Sequence, residues 1–132
     1  MDWIIGGYLL ELSIEDIRKR KLSLWFLIMG ILGSILYGFG YRDLLCVVTG
    51  IIPGAILLIF SVLMPKGIGI GDGILAIIYG IVYGWMRTCV WLIAGFLMAA
   101  VFGVFCYLFQ RAKSMLIPLV PFLMLAHVGM CL

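Results

Sequence analysis

The chain has 132 residues, of which 66% are hydrophobic and only 11% charged, with a formal net charge of +3. A water-soluble domain carries about a quarter charged residues, so this much apolar surface excludes an ordinary soluble fold. The few charges leave no basic, aromatic surface for nucleic acid, and no nucleic-acid partner is predicted. The predicted partner is instead the lipid bilayer, and the predicted organisation is a single domain over residues 1–132.

The apolar residues form six predicted membrane spans separated by short breaks. The spans cover roughly residues 3–18, 23–40, 44–64, 72–87, 89–109 and 115–131. A helix needs about 17–25 residues to cross a bilayer, so the first and fourth spans are short. Because lipid cannot satisfy backbone polar groups, the expected fold is an all-α integral membrane bundle of about six transmembrane helices.

The first span carries acidic residues and ends at a basic cluster, residues 18–21. A carboxylate near hydrocarbon costs about 2.5 kcal/mol or more unless it faces a cavity or a partner. Glu11 lies deep enough to line a water-filled substrate cleft or to accept hydrogen bonds from another helix. Asp16, taken alone, is equally consistent with an interfacial residue, so its significance depends on a second acid.

That second acid is Asp72, which ends the run Gly69-Ile70-Gly71-Asp72 at the start of the fourth span. Gly69 and Gly71 remove side chains where the chain enters the helix, so another helix can approach closely. Two carboxylates within hydrogen-bond distance cannot both ionise easily and share a proton. The ionised one can act as general base on water while the protonated one polarises a carbonyl. Asp16 with Asp72 therefore predicts an aspartic endopeptidase that uses no metal and no cofactor.

Tyrosine and proline residues near these acids each have two interpretations. Tyr79 and Tyr83 follow Asp72 on one helical face, where they border a substrate cleft or, as we prefer, pack in the core. Pro118 and Pro121 lack backbone donors and would loosen the last helix for substrate entry. A simple kink explains the two prolines equally well.

Small residues recur every four positions in several spans and allow helices to pack closely. Such stripes indicate either a homodimer seam or packing inside the bundle, and a six-helix bundle needs many such contacts, so we favour the second. The sequence does not predict the oligomeric state. The stripes comprise Gly30 with Ser34, Gly50 with Gly54, Gly80 with Gly84, and Gly95 with Ala99 and Gly103.

The remaining metal-binding or nucleophilic residue types favour structural roles. The four cysteines contain no CxxC pair, so a zinc or thioredoxin-type site is not predicted. The single histidine, His127, is interpreted as a core residue hydrogen-bonded to a neighbouring helix rather than as a catalytic base.

The basic residues predict the orientation in the membrane. With six spans the breaks alternate between two sides, and one side collects seven basic residues while the other has Arg42 and Arg87. The positive-inside rule places the first side in the cytoplasm and both termini outside. Asp16 and Asp72 then share the cytoplasmic side. The seven residues are Arg18, Lys19, Arg20, Lys21, Lys66, Arg111 and Lys113.

Three stretches resemble the type IV prepilin peptidase family, the GxGD aspartic membrane proteases. They are the aspartate and basic turn at 16–22, the run from Gly69 through Asp72 to Leu75, and the proline-bracketed segment at 117–122. The resemblance implies that Asp16 and Asp72 are the catalytic pair of a cell-membrane hydrolase. It also implies a pilin-like precursor as substrate, in type IV pilus assembly or protein secretion, whose short basic leader is cleaved at the cytoplasmic face.

The chain departs from the family pattern in three respects. Leu22-Ser23-Leu24 stands where Ile-Pro-Asn is common, and Ile74 stands where a lysine is usual. The cysteine-rich segment of longer members, which accompanies N-methylation, is missing, so cleavage without methylation is expected.

Two other function classes stay open at this point. The first is a small proton- or cation-coupled transporter in which Asp16, Asp72 and Glu11 form the path. The second is a catalytically inactive pilus or secretion assembly partner, which the isoleucine at position 74 favours.

Overall fold

The computed structural model describes residues 2–19, 24–64, 69–110 and 119–131. These residues form six α-helices and no strands, which confirms the predicted all-α fold. The helices are α1 (Asp2–Lys19), α2 (Leu24–Tyr41), α3 (Leu44–Leu63), α4 (Ile70–Tyr83), α5 (Trp85–Gln110) and α6 (Val120–Cys131).

Three of the described helices are long and apolar enough to cross a membrane, namely α2, α3 and most of α5. Helices α4 and α6 are apolar but shorter. Large apolar side chains such as Trp25, Leu36 and Phe109 point outward. Because soluble monomers rarely expose extended apolar surfaces, this distribution is that of a membrane protein.

The helices group into two compact units. The terminal unit comprises Met1–Lys21 and Trp91–Leu132, and the central unit comprises Leu22–Val90. Within the terminal unit α1 packs against α6, and within the central unit α4 packs against α3 and α2. The organisation as a single domain stays a prediction.

Glycines line the contact between α3 and α4 in the central unit. A Cβ atom added to Gly50 would overlap the backbone carbonyl of Gly80, and one added to Gly80 would overlap that of Gly50. Further along, Gly54 lies against Ile77, and Gly73 lies against Leu58. Residues with increasing numbers on α3 contact residues with decreasing numbers on α4, so the two helices are antiparallel. Their backbones are in direct contact at Gly50 and Gly80. The predicted packing role of Gly50, Gly54 and Gly80 inside the chain is confirmed.

Gly84 separates α4 from α5. Its φ of +85° is left-handed, a conformation that side-chain-bearing residues rarely adopt. The Gly84 N–H donates to the Gly80 carbonyl at 2.8 Å, and the buried Thr88 hydroxyl donates to the Gly84 carbonyl at 2.7 Å. The predicted fourth span ran on to Arg87, but this turn ends α4 at Tyr83 and begins α5 at Trp85.

In the terminal unit, α6 is held by side chains rather than by glycine contacts alone. The indole N–H of Trp91, which is fully buried on α5, donates to the Leu123 carbonyl at 2.8 Å. Gly95 of α5 makes room for the Leu123 side chain, and the rings of Phe102 and Phe122 lie 5.2 Å apart. These contacts fix the first turns of α6 against α5.

His127 joins the far end of α6 to the beginning of α1. It is buried, and its Nε2 lies 3.2 Å from the backbone carbonyl of Asp2 and 3.6 Å from the Cys131 sulfur. Because a carbonyl only accepts, Nε2–H is the donor to Asp2. The prediction of a core histidine bonded to a neighbouring helix is confirmed.

Candidate active site

Asp72 lies in the first turn of α4 and is half-buried. Gly69 is the N-cap with an extended backbone (φ −72°, ψ 145°), and its carbonyl accepts the Asp72 N–H at 3.1 Å. The positive end of the helix dipole favours a carboxylate at this position. Gly73, the next residue, lies against Leu58 of α3, so the α3–α4 contact fixes the start of the helix that carries Asp72.

Gly69 places no side chain beside the Asp72 carboxylate. A Cβ atom at Gly69 would lie 3.4 Å from Asp72 Oδ2, which is ordinary van der Waals contact. Gly69 is exposed and Gly71 half-buried. A side chain at Gly69 therefore fits the fold but occupies space beside the carboxylate. The role of this glycine in close approach to Asp72 stays a prediction.

Asp16 lies near the end of α1 and is half-buried. Its carboxylate accepts a hydrogen bond from the backbone N–H of Val120, the first residue of α6. Helix N-termini leave such N–H groups without helical partners and favour negative charge. Asp16 is therefore held at the beginning of α6, within the terminal unit.

The two aspartates belong to different units, Asp16 to the terminal unit and Asp72 to the central unit. Each is placed within its own unit by a helix N-terminus, that of α6 for Asp16 and that of α4 for Asp72. Their pairing into one catalytic site stays a prediction.

The residues predicted to line a cleft occupy different environments. Glu11 is exposed on α1. Tyr79 and Tyr83 are buried in the central unit with ring centroids 4.5 Å apart, and the Arg87 guanidinium lies 5.1 Å from the Tyr83 ring. The Tyr79 side chain is only 3% exposed, so it packs in the core, as we preferred. Its contribution to a substrate cleft stays a prediction.

Pro121 lies in the first turn of α6. A proline there removes no helical hydrogen bond, because the first N–H groups of a helix have no partner within it. The expected loosening through a lost donor therefore does not arise at Pro121. Pro118 lies outside the described residues, as do Leu22 and Ser23.

Within the described ranges, no group of three or more histidine, cysteine, aspartate or glutamate side chains is placed to hold a metal ion. All four cysteines are free thiols, of which Cys46 and Cys131 are exposed.

Val120 is the residue at the site that sequence reasoning missed. Pro121 does indicate a helix start nearby, because proline is common in the first helical turn. The sequence does not indicate which side chain contacts the N-terminus of this helix. Every residue except proline has the same backbone N–H, so residue type does not mark a backbone donor.

Within its own unit, each candidate aspartate thus lies at the start of a helix, Asp16 at that of α6 and Asp72 at that of α4. The family model of the type IV leader peptidases matches residues 3–104, which is most of the chain and includes Asp16 and the run from Gly69 to Asp72. The proline-bracketed segment at 117–122 lies beyond that match. No curated protein and no solved structure matches the chain.

The chain therefore belongs to the type IV leader peptidase family. It is a membrane peptidase, and its substrates are proteins.

Proposed function

We propose that this chain is an aspartic endopeptidase of the cytoplasmic membrane that removes the short basic leader of pilin-like precursors. The observation that carries the proposal is the placement of the Asp72 carboxylate beside Gly69, which has no side chain, within a family match that also contains Asp16. Cleavage takes place at the cytoplasmic face, where the charge distribution predicts both aspartates to lie.

The proposed chemistry requires one ionised and one protonated carboxyl group. The ionised aspartate takes a proton from water as the water oxygen attacks the scissile carbonyl carbon. The protonated aspartate gives its proton to the carbonyl oxygen, so a tetrahedral intermediate forms without a metal. Collapse of the intermediate breaks the C–N bond, and the leaving amine takes a proton from the aspartate that received it from water. The other aspartate regains its proton from a hydroxyl group of the intermediate, which leaves as the carboxyl group of the product.

Turns within each unit are consistent with the proposed topology. Arg42, between α2 and α3, has a guanidinium nitrogen 3.4 Å from where a Gly84 Cβ would lie, so the α2–α3 and α4–α5 turns share one end of the central unit. In the terminal unit His127 lies beside Asp2, so the start of α1 and the end of α6 also share an end. Both pairings are those required by helices that alternate in direction across the membrane.

The test is cleavage of pilin-like precursors co-expressed with the chain, followed as loss of the leader on a gel. Wild type is expected to cleave, whereas Asp16→Asn and Asp72→Asn are expected to lose cleavage, because an amide can neither take the proton from water nor supply one. Asp43→Asn is the matched control, since Asp43 is the N-cap of α3 and makes no capping hydrogen bond through its side chain.

Two outcomes would contradict the proposal. Cleavage that survives either aspartate substitution would exclude the two-aspartate mechanism. Absence of cleavage by wild type with every precursor would favour the transporter or the inactive partner. The mass of the mature product tests the expected lack of methylation, since a methylated amino terminus would contradict it.

A further inference from the structure

We propose that the first turn of α6 positions Asp16 for catalysis, through the backbone N–H of Val120 and the contacts that fix this turn against α5. The inference rests on the proposed function and adds a positioning residue to it. Val120 touches no substrate in this account. It acts by holding one carboxylate of the catalytic pair.

The face of α1 that carries Asp16 is the face buried in the terminal unit. Leu9, Leu12 and Ser13 are buried, and Asp16 follows them at helical spacing. Helix α1 packs against α6. The Asp16 side chain therefore leaves α1 toward α6 because of the helical period, independently of the hydrogen bond that it makes there.

The donor belongs to the first turn of α6, which contacts α5. Val120 and Leu123 are fully buried at the start of α6. The Trp91 indole N–H bonds the Leu123 carbonyl at 2.8 Å, and Leu123 fills the space above Gly95. The first turn of α6 cannot shift relative to α5 without breaking these contacts, so they hold the Val120 N–H in place.

A fixed donor matters for a carboxylate that must act on water. Hydrogen bonds to an ionised carboxylate are shorter and roughly twice as strong as neutral ones. One such bond orients the group while leaving it further lone pairs for water or a second carboxyl group. Catalytic groups work best when their orientation is set before the substrate arrives.

The test removes the N–H without removing the helix. Val120→Pro deletes the donor, and proline is well tolerated at the first position of a helix. Val120→Ala keeps the donor and measures the cost of the lost side chain. Relative to Val120→Ala, we expect Val120→Pro to lower kcat about tenfold or more, the effect of losing a hydrogen bond to a charged group. KM is expected to stay within about threefold, because substrate binding is not changed.

A second measurement does not depend on how the proline variant folds. In protein labelled with ¹⁵N-valine, the Val120 amide signal is identified by its disappearance in Val120→Ala. The Asp16→Asn variant should move this amide proton upfield, because an amide oxygen is a weaker acceptor than a carboxylate. Asp43→Asn should leave the signal unchanged.

The outcomes separate this inference from the proposed function. Cleavage that is lost in Asp16→Asn but equal in Val120→Pro and Val120→Ala would overturn the positioning role and leave the peptidase intact. A Val120 amide chemical shift that does not change in Asp16→Asn would overturn the positioning role as well, even if Val120→Pro does not fold. A wild type that cleaves no precursor would instead overturn the proposed function, and the positioning role with it.

Discussion

The two units fix the helices around their aspartates by different physical means. In the central unit α3 and α4 meet through glycine backbones at Gly50 and Gly80, and this contact fixes the helix that begins beside Asp72. In the terminal unit polar groups join the helices, with Val120 bonding Asp16 and Trp91 bonding Leu123. The central unit should therefore be intolerant of added volume, and the terminal unit intolerant of lost donors.

A single substitution, glycine to alanine, can test this comparison at several positions. The largest effect is expected for Gly80→Ala, because its methyl group would overlap the Gly50 carbonyl. A backbone carbonyl, unlike a side chain, cannot change rotamer to make room. We expect a loss of about 3 kcal/mol or more in the free energy of unfolding, the upper range for overpacking. Thermal unfolding in detergent measures the effect.

Gly33→Ala is the matched control for this prediction. Nothing lies within 4 Å of the Cβ position at Gly33, which also lies within a helix. Its free energy of unfolding should change by less than about 1 kcal/mol, and in the stabilising direction, since alanine is the better helix former. Equal stability of the Gly80→Ala and Gly33→Ala proteins would disprove the backbone contact.

An intermediate effect is expected for Gly95→Ala in the terminal unit. The added methyl group meets the end of the Leu123 side chain, which can change rotamer, rather than backbone. We expect a loss of about 1 kcal/mol, because overpacking is partly offset by the helix preference of alanine. Combining it with Leu123→Val, which shortens the contacting side chain, should restore part of the stability; a larger loss in the double variant would contradict this account.

The smallest effect on stability is expected for Gly69→Ala. This substitution should instead lower activity. Its methyl group fits 3.4 Å from the Asp72 carboxylate, so unfolding should change by less than about 1 kcal/mol. Cleavage should fall about tenfold or more, because the methyl group occupies space that a second carboxyl group or water needs, and small misplacements at reacting groups are costly. Wild-type kcat in purified Gly69→Ala would refute the close-approach role of this glycine.

The sequence predicts much of this fold because apolar length and small-residue spacing are local properties. The second and third predicted spans, 23–40 and 44–64, agree with α2 and α3 to within one residue at each end. The boundary between α4 and α5 was predicted wrongly because Arg87 was taken as the break. The actual turn uses Gly84, a residue type that commonly ends helices.

Pairing between helices could not be predicted in the same way. The stripes containing Gly50 and Gly80 indicate close packing but do not say which stripe meets which. The donor at Val120 is a backbone N–H, which cannot be recognised from the type of the residue. The candidate catalytic residues Asp16 and Asp72, in contrast, stand out in the sequence because carboxylates are costly near lipid.

The central claim is that Asp16 and Asp72 meet in one site, and a cross-linking measurement tests it most directly. The four native cysteines are replaced by alanine, and Asp16→Cys is combined with Asp72→Cys in the membrane. The control combines Glu11→Cys with Asp72→Cys, because Glu11 lies about 7.5 Å further along α1 and on another face. Alkylation confirms that every introduced thiol reacts.

A short bifunctional thiol reagent should join positions 16 and 72 within one chain and leave the control pair unjoined. Failure to join 16 and 72, or equal joining of both pairs, would contradict the shared two-aspartate site.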